Sequence, residues 1–175
     1  MKKLRRNNKG FTLIELLAVI VILAILMTLA ITSMSGYITD SKKNTFVSTA
    51  NQYLNSVRYS LLNGDYEAPA TGACTVVSMS EVDTENNNDK STFGAAYDWT
   101  KSYVVIANNG GQYEYYMQMI DAKKNGFELM AEQSLDKDDI DEGTASSTAD
   151  ISDWRSGVPT GISFCTSVTA VYPNS

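Results

Sequence analysis

The sequence predicts an α+β protein in which one long N-terminal helix keeps its first half apolar and packs its second half on an antiparallel β-sheet meander. Three observations point there. Residues 16–39 form a membrane-length stretch without a single charge. From Tyr37 onward, apolar side chains recur at spacings of three and four, the signature of an amphipathic helix. Between residues 103 and 131, three β-favouring runs are separated by Asn- and Gly-rich turns, the chemistry of hairpins.

Residues 1–10 read as a short basic leader, since Lys2, Lys3, Arg5, Arg6 and Lys9 are five of the fourteen basic residues in the chain. Such a cluster beside an apolar segment holds the extreme N-terminus in the cytoplasm. Beyond Gly10, nine basic residues face twenty acidic ones, a side-chain charge of −11. That balance argues against a general nucleic-acid binder, whose main attraction to phosphate needs a basic surface.

The uncharged run of 24 residues, 16–39, is long enough at about 1.5 Å per residue to span a bilayer core of about 30 Å. A secretory signal peptide has an apolar core of only about 7 to 15 residues and then a small-residue cleavage site. Here the pattern continues as helix, so the expected segment is retained as an anchor. Its one acid, Glu15, stands in the first turns. A charge in a transmembrane helix is disfavoured by about 2.5 to 3.5 kcal/mol on insertion scales, which makes Glu15 a candidate functional residue in need of a partner.

Residues 11–36 are therefore expected as the transmembrane half of the helix and residues 37–63 as its amphipathic half. Phe46, Ala50, Tyr53, Leu54, Val57 and Leu61 mark the apolar stripe, and Asn63-Gly64 is a plausible stop. Residues 64–175 form the globular domain. Its connection holds a short strand at Cys74-Thr75-Val76-Val77 and a polar loop over residues 81–90; residues 95–99 are ambiguous. The meander follows: residues 103–107, the turn Asn108-Asn109-Gly110-Gly111, residues 112–120 with Tyr113, Tyr115, Met117 and Met119 on one face, the turn Lys124-Asn125-Gly126, and residues 127–131. A last alternating run, residues 162–172, would place Ile162, Phe164, Val168, Ala170 and Tyr172 toward the helix and Cys165 away from it.

Cys74 and Cys165 fit either one disulfide of an exported domain or two inert thiols. As a bridge, they would staple the connection after the helix onto the outer face of the sheet. The chain has no histidine, which removes Ser-His-Asp and Cys-His nucleophilic sites and the HExxH zinc motif. No cofactor site is expected, because Gly110-Gly111 lacks the helix and lysine of a phosphate loop. The acidic tract 132–142 invites calcium, yet Ile140 and Asp141 break the EF-hand spacing, so a solvated surface loop is expected and no metal site. Residues 144–148 read as an exposed loop. Nothing supports catalysis.

The stretch Lys9-Gly10-Phe11-Thr12-Leu13-Ile14-Glu15, followed by the apolar helix, resembles the N-terminus of a type IV prepilin. The resemblance covers roughly the first third of the chain, and the helix-on-meander architecture is also what it implies. It implies further that a prepilin peptidase cuts after Gly10, that the new N-terminal Phe11 is methylated on its amine, and that Glu15 neutralises that amine in a neighbouring subunit. The two charges lie four positions apart in sequence, a poor geometry within one subunit and a good one across two staggered copies. Removing one member of a buried charge pair costs about 3 to 5 kcal/mol in soluble interiors, so assembly should depend on Glu15.

Two positions depart from the family pattern: Thr32 stands where many pilins have proline, and Ala24 where many have glycine. Gly36 and the run Thr32-Ser33-Met34-Ser35 are the local substitutes for any loosening of the helix. By the resemblance, the partners are other pilin subunits, the peptidase and methylase, an inner-membrane assembly platform and the lipid bilayer before assembly. The localisation is the cytoplasmic membrane, then a surface filament serving adhesion, twitching motility, biofilm formation or DNA uptake. Two alternatives remain: a pseudopilin of a secretion or competence system, and a bitopic protein displaying a ligand-binding or enzymatic domain.

Overall fold

The structure, a computed structural model, describes residues 11–82, 89–146, 149–160 and 162–173. The chain separates into two compact units, Met1–Thr39 and Asp40–Ser175. One α-helix, α1, Leu13–Asn63, runs through 51 residues with no proline and a single glycine, Gly36. It ends where Gly64 takes φ +86°. The amides of Gly64 and Asp65 then donate back to the carbonyls of Leu61 (3.2 Å) and Ser60 (2.9 Å), the paired closure that glycine permits at a helix end.

In the first unit α1 is long and apolar enough to cross a membrane. Its large apolar side chains, from Leu13 to Met34, all stand exposed within that unit. Thr28 keeps its hydroxyl satisfied by donating to the Ala24 carbonyl at 2.9 Å, so it adds no unmet donor to the apolar surface.

In the second unit the stripe Phe46, Ala50, Tyr53, Leu54, Val57 and Leu61 is buried. It packs on a five-stranded sheet of order β4-β3-β2-β1-β5, built from β1 (Ala73–Ser78), β2 (Tyr103–Asn109), β3 (Gln112–Ile120), β4 (Gly126–Ala131) and β5 (Ser167–Tyr172). Strands β1 to β4 pair antiparallel, and β5 joins β1 in parallel. The architecture is α+β. Val104 and Ile106 of β2 and Tyr115, Met117 and Met119 of β3 meet the helix stripe, with Phe127 closing the same core. Phe46 sits at its centre, its ring 5.8 Å from that of Phe127 and 5.7 Å from that of Phe93.

The turn between β3 and β4 is held by Asp121, a buried carboxylate that accepts from Ser91 Oγ at 2.6 Å, from the amides of Lys123 and Asn125 at 2.9 Å each, and from the Asn125 side chain. These donors replace the water that a buried carboxylate loses. Gly126 follows at φ +146°, where a Cβ would run into the carbonyl oxygen of Met119. Only glycine fits.

The sheet is covered on both faces, which the meander pattern did not announce. Tyr103, Val105 and Ala107 alternate with the helix-facing residues and form a second core with Cys74, Val76, Cys165 and Trp154. Trp154 comes from a short helix, α2, Ile151–Ser156, that the sequence reading missed. Its indole is fully buried, 6.2 Å from the Tyr103 ring, and the Tyr103 hydroxyl donates to the Ala149 carbonyl at 3.0 Å.

The expected alternation of residues 162–172 is also corrected. Ile162, Phe164 and Val168 belong to this second core rather than to the helix side, while Tyr172 does reach the helix side. The reason is local. Residues 162–166 precede β5, and a register shift opposite Cys74 and Thr75 inserts one extra residue into β5. Each such insertion flips the faces of the side chains beyond it.

The acidic tract departs in part from a freely solvated loop. Asp136, Asp138, Asp139 and Asp141 are exposed, but Ile140 is buried and both ends are tied to α1. Arg58 donates to both carboxylate oxygens of Glu132 at 2.9 and 2.7 Å, and Lys43 reaches Glu142 and the Ile140 carbonyl at 3.1 Å each. The Arg58 guanidinium also lies over the Tyr115 ring at 4.5 Å, and its hydrogen bond with Glu132 pushes its pKa further up. The loop expected over residues 144–148 is described only in part, since residues 147 and 148 lie outside the described residues.

Candidate functional site

The candidate site is the N-terminus of α1, where an acid opens an apolar helix. Phe11 precedes the helix and is 89% exposed. Thr12 precedes the first helical residue, Leu13, and meets Glu15 in a reciprocal pair of hydrogen bonds. The Thr12 hydroxyl accepts from the Glu15 amide at 3.3 Å. In return, Glu15 Oε2 accepts from the Thr12 amide at 2.8 Å and from the Thr12 hydroxyl at 2.8 Å. This is the capping box of a threonine followed three residues later by glutamate. It satisfies amides that the first turn cannot pair within the helix, and it places a negative charge at the positive end of the helix dipole.

Both donors converge on one oxygen, Oε2, and no described residue donates to Oε1. The flanking side chains offer nothing polar: Leu13, Ile14 and Leu16 are 82%, 74% and 62% exposed. The arrangement is thus a carboxylate half-engaged by its own helix and set in an otherwise apolar surface. Chemically it can receive one more donor or cation, and among the described residues a proton-transfer or nucleophilic role has no second group here to work with.

Of the residues singled out from the sequence, Phe11 and Glu15 are described and Gly10 lies outside the described residues, as does the basic leader. So do the side chains of residues 32 and 33. Thr12 is the residue that sequence reasoning passed over, although Thr12-Leu13-Ile14-Glu15 ahead of an apolar run carries the capping-box spacing openly. Within the second unit, Cys74 and Cys165 form a disulfide with Cα atoms 5.8 Å apart, both cysteines buried in the core on the sheet face away from α1. No grouping of three or more His, Cys, Asp or Glu able to hold a metal occurs among the described residues.

Residues 5–31 match the family model of the prokaryotic N-terminal methylation motif. The match takes in the second half of the leader from Arg5, then Gly10, Phe11, the capping box and most of the apolar half of α1. It supports a type IV pilin-like prepilin, a peptidase substrate of the kind that assembles into filaments, and points to a structural protein rather than an enzyme. The chain has no match among curated proteins or among solved structures.

Proposed function

We propose that this chain is the structural subunit of a type IV pilus: inserted in the cytoplasmic membrane as a prepilin, cleaved between Gly10 and Phe11, methylated on the Phe11 amine and polymerised through the apolar half of α1. The observation that carries the reading is the pairing of that half with Glu15. Its large apolar side chains stand exposed within their own unit, so lipid and then neighbouring copies must cover them. Glu15, with one oxygen unclaimed by any described residue, is the group that selects the partner, and the amine created at Phe11 is the cation that fits it. The second unit, with its own core and an acidic surface, then forms the exterior of the filament.

The test is mass spectrometry of the N-terminal peptide from a fraction sheared off the cell surface, for wild type and for Glu15→Gln. Wild type should yield a peptide beginning at methylated Phe11. Glu15→Gln should be cleaved normally yet fall by about tenfold or more in the sheared fraction, as expected when one member of a desolvated charge pair is neutralised. Wild-type levels from the mutant would defeat the charge-pairing reading. An uncut chain confined to membranes would instead favour a bitopic display protein, and cleaved subunits without long surface filaments a pseudopilin.

A further inference from the structure

We infer that the open edge of β5 is a docking surface for the same edge of a second copy of this chain, the two strands pairing antiparallel through their backbones. This contact belongs to the second unit alone and is independent of the filament reading. The two edges of the sheet, β4 and β5, are finished differently. At the β4 edge Asp141 pairs with Gly126, each amide donating to the other's carbonyl, at 2.8 and 3.0 Å, and the Ser146 amide donates to the Glu128 carboxylate at 3.2 Å. That edge is covered and charged.

At the β5 edge, among the described residues, no backbone group of residues 167–171 is paired on the side away from β1. A groove of about 680 Å³ lies there, between residues 166–171 and residues 154–158. Alternate side chains of a strand point to opposite faces, so a groove lined by residues 167 to 171 without a gap follows the strand's edge and its row of N–H and C=O groups. Edges are usually blunted by charge, proline or a bulge. The run Ser-Val-Thr-Ala-Val-Tyr of β5 has no charge and no proline, only the register shift that leaves Thr169 between the partners of Cys74 and Thr75.

The strand is also held in place at both ends. Cys165 is bridged to Cys74, the amide and hydroxyl of Thr166 donate to the Gly72 carbonyl at 2.8 and 2.7 Å, and the Tyr172 hydroxyl accepts from the Glu67 amide at 3.0 Å. A strand already ordered loses little further freedom on pairing. Charge then selects the occupant. Residues 40–155 hold nineteen acidic and nine basic residues, whereas residues 156–175 hold none of either. Two copies of the unit therefore repel over most of their surface and do not repel along this strip. Arg155, the one charged residue lining the groove among the described residues, donates to the Pro173 carbonyl at 2.9 Å. An identical strand related by a two-fold axis runs antiparallel, sets free donors opposite free acceptors and faces β-branched side chains with their like.

The test is amide hydrogen exchange of residues 166–172, read beside sedimentation of the same samples, on the full-length chain held one per detergent micelle at rising concentration. Wild type should pass from monomer to dimer as its β5 amides slow by about tenfold or more, as expected once most chains are paired. Ser167→Lys and Thr169→Lys put a charge on the edge and should abolish both changes, while Thr169→Val keeps them. The unfolding midpoint and the intact disulfide check the fold of each variant, and Ser167 is exposed, so Ser167→Lys keeps the test open if Thr169→Lys does not fold. Exchange that does not slow with concentration overturns the proposal. Dimers that persist unchanged in both lysine variants also overturn it and assign association to the apolar half of α1. Slowing by an added uncharged peptide of unrelated sequence, but not by the chain's own copies, would give the groove to a foreign segment and overturn the self-pairing.

Discussion

Residues 13–39 and 40–63 belong to one continuous helix, yet they solve the problem of apolar surface in opposite ways. In the first stretch Leu23 is 57% exposed and Ile25 is also 57% exposed, whereas in the second Phe46 and Leu54 are fully buried. Composition already separates them, since the first carries one charge, Glu15, and the second carries Asp40, Lys42, Lys43 and Arg58. The arrangement says what each one needs. An all-round apolar helix has no side to offer water and needs a surrounding medium, while a stripe needs only one partner and finds it in a sheet of its own chain. The first stretch is built to be completed from outside, and the second is complete.

The sharpest way to break that contrast is a pair of truncations read by unfolding of the globular unit, with the full chain held in detergent micelles. Phe46→Ala, which empties the centre of the core beside Phe127 and Phe93, should destabilise it by about 3 to 5 kcal/mol. Leu23→Ala should change it by less than about 0.5 kcal/mol, because no core of that unit holds Leu23. Equal losses from the two would mean that the halves are not energetically separate.

Cutting the covalent tie is expected to act next in size. Replacing Cys74 and Cys165 together by serine opens a link across 91 residues and should cost about 2 to 5 kcal/mol in the same unfolding measurement. The helical circular dichroism of residues 13–39 in micelles should persist through that transition. Simultaneous loss of both signals would show that the apolar half depends on the domain after all.

The smallest effect sharpens the contrast through pH. Burial pushes the Tyr103 hydroxyl up to about 12, with the nearby indole of Trp154 partly opposing and Asp150 and Asp153 adding to the rise. In the unfolded chain a tyrosine titrates near its usual value of about 10. The folded state therefore holds its proton longer. The associated stability is intact below about pH 10 and is lost as pH rises toward about 12. Tyr103→Phe should cost about 1 kcal/mol at neutral pH, through the hydrogen bond to Ala149, and should flatten the alkaline loss between those values. An unchanged alkaline slope in Tyr103→Phe would assign the loss to other groups.

Much of this was legible in the residues. The stripe from Phe46 to Leu61 and the turn residues of the meander predicted α1 and strands β2 to β4, because helix and hairpin signals are local and repeat at fixed spacing. The second core was not predicted, though a hint was there. Tyr103-Val104-Val105-Ile106-Ala107 is a continuous apolar run rather than an alternating one, the mark of a strand covered on both faces. What covers it, Trp154 on a six-residue helix, lies in a stretch too short for any period to show. In β5 the alternation misled, because one inserted residue reversed the faces and sequence spacing does not record where a ladder slips. At the site the spacing of Thr12 and Glu15 was visible, but only the distances divide the carboxylate between a claimed and an unclaimed oxygen.

By itself, then, the sequence determined that a charged leader, a glycine and a phenylalanine stand before an apolar helix with one acid in its first turn, and that the same helix turns amphipathic before a meander. Those properties follow from side-chain chemistry and from the periods of helix and strand, both read over a few residues. Only the tertiary structure decided which partner covers each face of the sheet, where β5 shifts its register and how the acidic tract is tied back to Lys43 and Arg58. Those outcomes depend on residues many positions apart meeting in space, and on whether each buried group finds a partner there.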